Sequence, residues 1–222
     1  MKSQLFELVI FDCDGVLVDS EPLANQVFVE MIREHGFDID ETTYLQKFSG
    51  ITLPDRIKTT AQELNWVPPQ GFQQTFTERL AVLTREKLQP VQGIHELLKS
   101  LPVPVCVASN GSREEVNLRL ELSGLTTFFG NAIFSGLEVS NPKPAPDVYL
   151  AAARSFRIPP AHCLVIEDSI PGVTAAVQAG MRVYGHAAFT PAKQLKDTGA
   201  IPFNNMFELK EIFAKEFWAN RN

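Results

Sequence analysis

Hydrophobic positions along this chain form two kinds of segment that alternate. Short apolar runs occupy residues 5–11, 103–108, 132–134, 163–166 and 181–184, none with a clear two-residue alternation. Such runs fit strands buried on both faces, as in a parallel sheet. Amphipathic stretches lie between them. Residues 114–122 set Val116, Leu118, Leu120 and Leu122 among charges and stop before Gly124; residues 147–156 are Ala-rich and follow Pro144-Ala145-Pro146. Residues 171–179 begin on Pro171 and are followed by Gly180, the asymmetry of a helix start and stop. Strand and helix in alternation predict an α/β core, a Rossmann-like doubly wound parallel sheet.

Residues 22–88 break the pattern. They hold no convincing buried strand, only helix-like pieces at 22–35, 41–48, 54–64 and 71–86, punctuated by Gly36, Gly50 and Pro68-Pro69. This reads as a small α-helical domain inserted after the first strand, with residues 89–93 as the return linker. The expected organisation is therefore a core of residues 1–19 and 90–222 and an insert of residues 20–89.

Composition narrows the function. Of 222 residues, 45% are hydrophobic and 21% charged, the balance of an ordinary soluble protein. The net charge of −6 comes with no basic run, which argues against nucleic acid as the main partner. The first apolar run is too short for a membrane span and stops at Asp12, with no signal-peptide cleavage pattern, so no membrane association and a cytoplasmic location are expected. Cys13, Cys106 and Cys163 are odd in number and widely spaced, as reduced buried thiols are. A monomer is the default. An acidic protein that handles an anion needs a local cation, either a metal or a well-placed lysine.

Candidate chemistry lies in four places, each at the end of a predicted strand, where open α/β sheets bind ligands. Asp12-Cys13-Asp14-Gly15-Val16 offers two carboxylates one residue apart and a glycine for the sharp turn after them. One acid can attack phosphorus while the other serves as general acid and base, though an Asp- and Gly-rich surface turn has the same composition. Ser109-Asn110-Gly111 places a hydroxyl and backbone N–H groups where phosphate oxygens bind, or where a helix cap would sit. Lys143 stands between two prolines, and that stiffness favours a fixed cation over a solvated loop lysine. Glu167 and Asp168 end a buried run, where adjacent acids are costly without a hard cation unless one of them caps the next helix.

Taken in order, Asp12-x-Asp14-Gly15-Val16, Ser109, Lys143 and Glu167-Asp168 resemble the four motifs of the haloacid dehalogenase superfamily. Each motif is weak alone; four in order over nearly the whole chain are specific. The helical insert resembles the cap of the branch that holds phosphoglycolate phosphatases and β-phosphoglucomutases. Within it the pattern looks closest to bacterial sugar-phosphate phosphatases, including the 6-phosphogluconate phosphatase type. The resemblance implies that Asp12 attacks phosphorus and becomes a phospho-aspartate, and that Asp14 protonates the leaving oxygen and then activates water. It implies that Mg2+ is held by Asp12, the Asp14 backbone carbonyl and Asp168, with Glu167 helping directly or through water. It further implies that Ser109, Asn110 and Lys143 hold the phosphoryl oxygens, and that the insert covers the site, with Gly50 and Thr52 as candidate substrate contacts. The substrate would be a small phosphate ester, most simply a sugar or sugar-acid phosphate. Charge counting agrees: three acids and a phosphate dianion against one lysine leave four negative charges, which one magnesium ion halves.

The nearest rival is a phosphomutase of the β-phosphoglucomutase type. Two departures count against it: Ala24 stands where those mutases carry a cap-side His, and Leu53 where they carry an Arg for the distal phosphate. A dehalogenase would have no acid at Asp14. A cysteine phosphatase would need an Arg six positions after its Cys, but Asp19, Ser112 and Ser169 stand there. No Gly-x-x-x-x-Gly-Lys-Ser/Thr loop is present. A non-enzymatic phospho-aspartate signalling module would lack both the insert and the second acid.

Overall fold

The computed structural model describes residues 6–42, 44 and 52–215, and every structural statement below concerns those residues. The five apolar runs and one further segment pair as six parallel strands: β1 (Leu8–Phe11), β2 (Val105–Ser109), β3 (Ile133–Ser135), β4 (Cys163–Glu167), β5 (Arg182–His186) and β6 (Ile201–Phe203), in the order β3-β2-β1-β4-β5-β6. Strand β1 is central, with Phe11 level with Val107 on one side and Ile166 on the other. All four of its residues are fully buried, which is why its sequence shows no alternation.

Both faces of the sheet are covered. On one, Leu8, Ile10, Cys106, Ala108, Cys163 and Val165 pack with α7 (Asp147–Phe156), α8 (Ile170–Gln178) and α9 (Ala192–Thr198). On the other, Phe11 meets Phe129 of α6 (Thr126–Phe129) edge-on at 6.0 Å. Tyr184 meets Phe213 of α10 (Met206–Phe213) in the same way at 5.6 Å. Helices α4 (Ile94–Ser100) and α5 (Arg113–Leu122) complete this unit. The chain steps from β1 out to β2 and β3, then crosses back to β4 on the far side of β1. Strand order reverses there, so the carboxyl ends of β1, β2 and β4 meet at the position where doubly wound sheets bind ligands.

The α/β class matches the sequence reading, but β6, α4, α6, α9 and α10 add to it. Strand β6 escaped detection because Pro202 sits in its middle, and proline demotes a run as a strand. It is tolerated because β6 is an edge strand: Phe203 O accepts from Ala187 N on the β5 side, so the neighbouring Pro202 turns its backbone away from the sheet.

The chain divides into two compact units, one of Met1–Val18 and Gln89–Asn222 and the other of Asp19–Leu88. The second is helical, with α1 (Glu21–Glu34), α2 (Leu53–Glu63) and α3 (Phe72–Lys87). Its core centres on Phe28, whose ring lies within 5.9–6.3 Å of those of Phe72, Phe76 and Tyr44. Arg56 is buried in the same core: Nη2 donates to Asn25 Oδ1 at 2.5 Å, and the guanidinium lies 4.2 Å from the Phe28 ring centre. The helix predicted at 41–48 falls mostly outside the described residues. No described helix is long and apolar enough to cross a membrane.

Ile10 is fully buried on the central strand and touches the helical layer on its face. Ile10→Ala should destabilise the protein by about 2–5 kcal/mol, the cost of a large-to-small core change, read as a lower denaturation midpoint in urea.

Candidate active site

The first two acids leave the sheet where β1 ends. Asp12 N donates to Ile166 O at 2.9 Å, continuing the β1–β4 ladder one step past the strand. The chain then turns on itself: Leu17 N and Val18 N both donate to Cys13 O, and Gly15 N donates to Val18 O. Gly15 adopts φ +71°, a conformation that disfavours side chains. A Cβ there would also lie 2.1 Å from Asp168 Oδ2, so this glycine lets the first and fourth motifs approach each other. The carbonyl of Gly15 accepts from His186 Nδ1 at 2.8 Å, which places a proton on that nitrogen.

The Lys143 loop follows β3 and is fastened by the second motif. Lys143 N donates to Asn110 Oδ1 at 2.9 Å, and Asn110 Nδ2 donates to Lys143 O at 3.1 Å. Asn110 therefore spends its side chain on the lysine's backbone. Gly136 makes room for this clasp, since a Cβ there would lie 2.5 Å from Asn110 Oδ1. Ser109, buried at the end of β2, accepts from Gly111 N at 3.1 Å. Ser135 Oγ donates to Gly111 O at 2.6 Å and holds the same turn from β3.

Lys143 Nζ then reaches two carboxylates, Asp12 Oδ1 at 2.5 Å and Glu167 Oε1 at 2.7 Å, and all three side chains are nearly inaccessible. Glu167 receives five hydrogen bonds: Lys143 Nζ and Tyr149 OH on Oε1, and Asp168 N, Ser169 N and Ser169 Oγ on Oε2. Both its oxygens are engaged. Gly172 leaves it space, because a Cβ there would fall 1.6 Å from Glu167 Oε1. Ser169, not either acid, is the N-cap of α8, accepting from Gly172 N.

Burial opposes ionisation of both acids, with different outcomes. Asp12 is pushed up from 3.8 to about 7, chiefly by burial and further by Glu167 and Asp14, with Lys143 only partly compensating. For Glu167 burial again acts upward, but Lys143 and the Ser169 donors outweigh it and hold its carboxyl below the usual range. Burial alone would lower the Lys143 ammonium, yet Asp12 and Glu167 raise it well above an ordinary lysine, so it stays charged.

Asp12, Glu167 and Asp168 each present an oxygen within 4.8 Å of the others, all buried. A buried set of carboxylate oxygens, with only one ammonium against it, fits a hard divalent cation.

Of the residues expected from sequence, Asp12, Asp14, Ser109, Asn110, Lys143, Glu167 and Asp168 all belong to the sheet unit, at the ends of β1, β2 and β4 and in the loop after β3. Thr52 belongs to the helical unit. There its hydroxyl caps α2, donating to Asp55 Oδ2 at 2.7 Å and accepting from Asp55 N at 3.3 Å. Gly50 lies outside the described residues. Three participants carry little sequence signal. Tyr149 and Arg119 lie on amphipathic helices as ordinary-looking members, and Ser169 directly follows the paired acids without a role read from its own residue type. Arg119 Nε lies 3.1 Å from Asp14 Oδ1, and burial of its guanidinium is outweighed by Asp14 and the neighbouring acids, which raise it.

Comparison with known proteins agrees with this geometry. The sequence profile of the family described as haloacid dehalogenase-like hydrolase matches residues 9–186. The chain is 27% identical over 213 residues to a 6-phosphogluconate phosphatase of Escherichia coli K12, covering 96% of each. It is 29% identical to a phosphorylated carbohydrates phosphatase of Thermotoga maritima, covering 93% of this chain and 99% of the other. A crystal structure of a HAD family hydrolase from Deinococcus radiodurans R1, with bound phosphate and sodium, superposes with a TM-score of 0.84 at 31% identity, covering 96% of this chain and 97% of that one.

Two outcomes are expected. Lys143→Met strands two buried carboxylates without their cation and should cost about 3–5 kcal/mol in chemical denaturation at pH 8. The loss should shrink at pH 5, where Asp12 can take up a proton. Second, because the folded-state value of Asp12 is raised, its contribution to stability is full below about pH 3.8 and is lost as pH rises through about 7. A divalent cation competes with that proton for the carboxylate, so added Mg2+ should raise the melting temperature more at pH 8 than at pH 5.

Proposed function

Since this chain belongs to the haloacid dehalogenase-like hydrolase family, we propose that it is a Mg2+-dependent phosphatase that cleaves a small phosphate ester, a sugar or sugar-acid phosphate, through a phospho-aspartate at Asp12. The observation that carries this reading is the buried Lys143 ammonium shared by Asp12 and Glu167 at the carboxyl edge of the sheet. It keeps one carboxylate ready as a nucleophile beside a fixed positive charge, an arrangement that suits attack on a phosphoryl dianion. The relatives named as phosphatases of 6-phosphogluconate and of phosphorylated carbohydrates support the substrate class.

In the proposed reaction a carboxylate oxygen of Asp12 attacks phosphorus in line. The ester P–O bond breaks with its electron pair on the leaving oxygen, which takes a proton from Asp14. A water then attacks the phospho-aspartate and passes a proton to Asp14. The Asp12–phosphorus bond breaks, and orthophosphate leaves with Asp12 again a carboxylate. Ser109 and Lys143 would hold phosphoryl oxygens, with backbone N–H groups near Cys13 and Asn110 beside them. Asp12, Asp168 and the backbone carbonyl of Asp14 would hold Mg2+, and Glu167, with both oxygens already engaged, would support them through Lys143 and the following loop. Bound there, the ion would supply charge neutralisation for the approach of a carboxylate to a dianion. Asp14 stays outside that ligand set through its side chain, which leaves its carboxyl able to carry a proton. Ala24 and Leu53, which stand where the mutases carry a His and an Arg, and the relatives' names favour hydrolysis over phosphoryl return to a sugar.

The test is orthophosphate release from a panel of small phosphomonoesters, with Mg2+ and with EDTA. Release that needs Mg2+ and is strongest for a sugar or sugar-acid phosphate is expected. Asp12→Asn should lower turnover by at least about a thousand-fold. A folded wild-type protein that releases no phosphate from any ester would overturn the reading, and near-normal turnover by Asp12→Asn would overturn the mechanism.

A further inference from the structure

The second turn of α5 sends one side chain back toward the two acids that follow β1. Arg119 stands seven residues after the N-cap Ser112, two helical turns along, on the same side of α5 as the capping-box residue Glu115. Its Nε lies 3.1 Å from Asp14 Oδ1, and the two side chains are 19% and 35% exposed. Both Nε and Nη1 are shut off from water, and neither has an aligned hydrogen-bond acceptor. Buried N–H groups left without an aligned acceptor call for a reason, and here the nearby Asp14 carboxylate supplies one. Its Nη1 faces the turn after β2: a Cβ built on Gly111 would lie 3.6 Å from Nη1 and 3.5 Å from Ser109 Oγ. The guanidinium therefore stands between Asp14 and the Ser109–Gly111 turn, within the sheet unit.

We infer that Arg119 is a positioning residue that holds the Asp14 carboxyl in the orientation required for proton transfer. The inference rests on the phosphatase reading for what Asp14 does, but not for where it points. Lys143 fixes Asp12 from one loop, and Arg119 fixes Asp14 from a helix. The two acids lie two residues apart and need different tasks, so each has its own cation. The contact is charge-to-charge, from Arg119 Nε to Asp14 Oδ1.

Turnover kinetics of Arg119→Met and Arg119→Lys, each alone and with Asp14→Asn, test this on whichever ester the wild type releases most readily. Arg119→Met should lower kcat by about ten-fold to a hundred-fold with KM within about two-fold, as loss of positioning at the reacting centre does. Arg119→Lys should recover part of the loss. In the Asp14→Asn background Arg119→Met should cause little further loss, because the group it acts through is already gone. A raised KM with unchanged kcat, or an equal loss in both backgrounds, would overturn the inference. A crystal structure of Arg119→Met decides the same question without any turnover: Asp14 is expected in a different rotamer or in several, and an unchanged Asp14 would overturn it. Should the wild type release no phosphate, the phosphatase reading fails while that structure still rules on Arg119.

Discussion

One ammonium group holds this site together. Lys143 is buried against two carboxylates, and neither acid would be stable there alone, because an ionised group taken out of water loses several kcal/mol of hydration. The ion triplet forms only if β1, β4 and the loop after β3 end at the same place, so the topology of the sheet and the chemistry of its edge are one requirement. With both acids ionised the triplet also carries one negative charge more than its ammonium balances. Glu167 has its hydrogen bonds satisfied by five donors, and the imbalance falls on Asp12, whose affinity for a proton rises toward neutrality. A group with an unmet demand for positive charge is where a cation or a phosphorus centre is best received.

The supporting contacts show how little freedom that leaves. Asn110 clasps the lysine's backbone, Ser135 fastens the turn next to Asn110, and Ser169 both caps a helix and donates to Glu167. Three glycines, at 15, 136 and 172, mark where side chains of other motifs need the space a Cβ would fill. Only at Gly15 does backbone conformation add a second reason, through its positive φ. The site is thus assembled from interlocked short loops on rigid strand ends, an arrangement that preorganises charge.

Much of this was legible in the sequence, because buried parallel strands read as apolar runs and the acids, serine and lysine all follow such runs. The helices flanked by Pro and Gly were equally plain, and Asp147–Phe156 was read to the residue. What escaped has physical reasons. Strand β6 is three residues long with a proline at its centre, so neither periodicity nor propensity marks it. Tyr149 and Arg119 sit where an amphipathic helix would carry a core aromatic or a solvated charge, and only the fold brings them to Glu167 and Asp14. The hydroxyl of Thr52, singled out as a substrate contact, is engaged in capping α2, a use the flanking residues Pro54 and Asp55 are consistent with.

The proline in β6 bears on how copies of this molecule meet. A sheet ends in a row of unused backbone groups, and another chain's strand can bind to them. Pro202 turns its backbone to that outer row and has no N–H to offer. At the opposite margin β3 is only three residues long and passes directly into a short 3-10 turn at Gly136–Glu138. Neither margin presents a continuous ladder, so the sheet resists lengthening by a neighbour's strand in the crowded, concentrated conditions where such templating leads to aggregation.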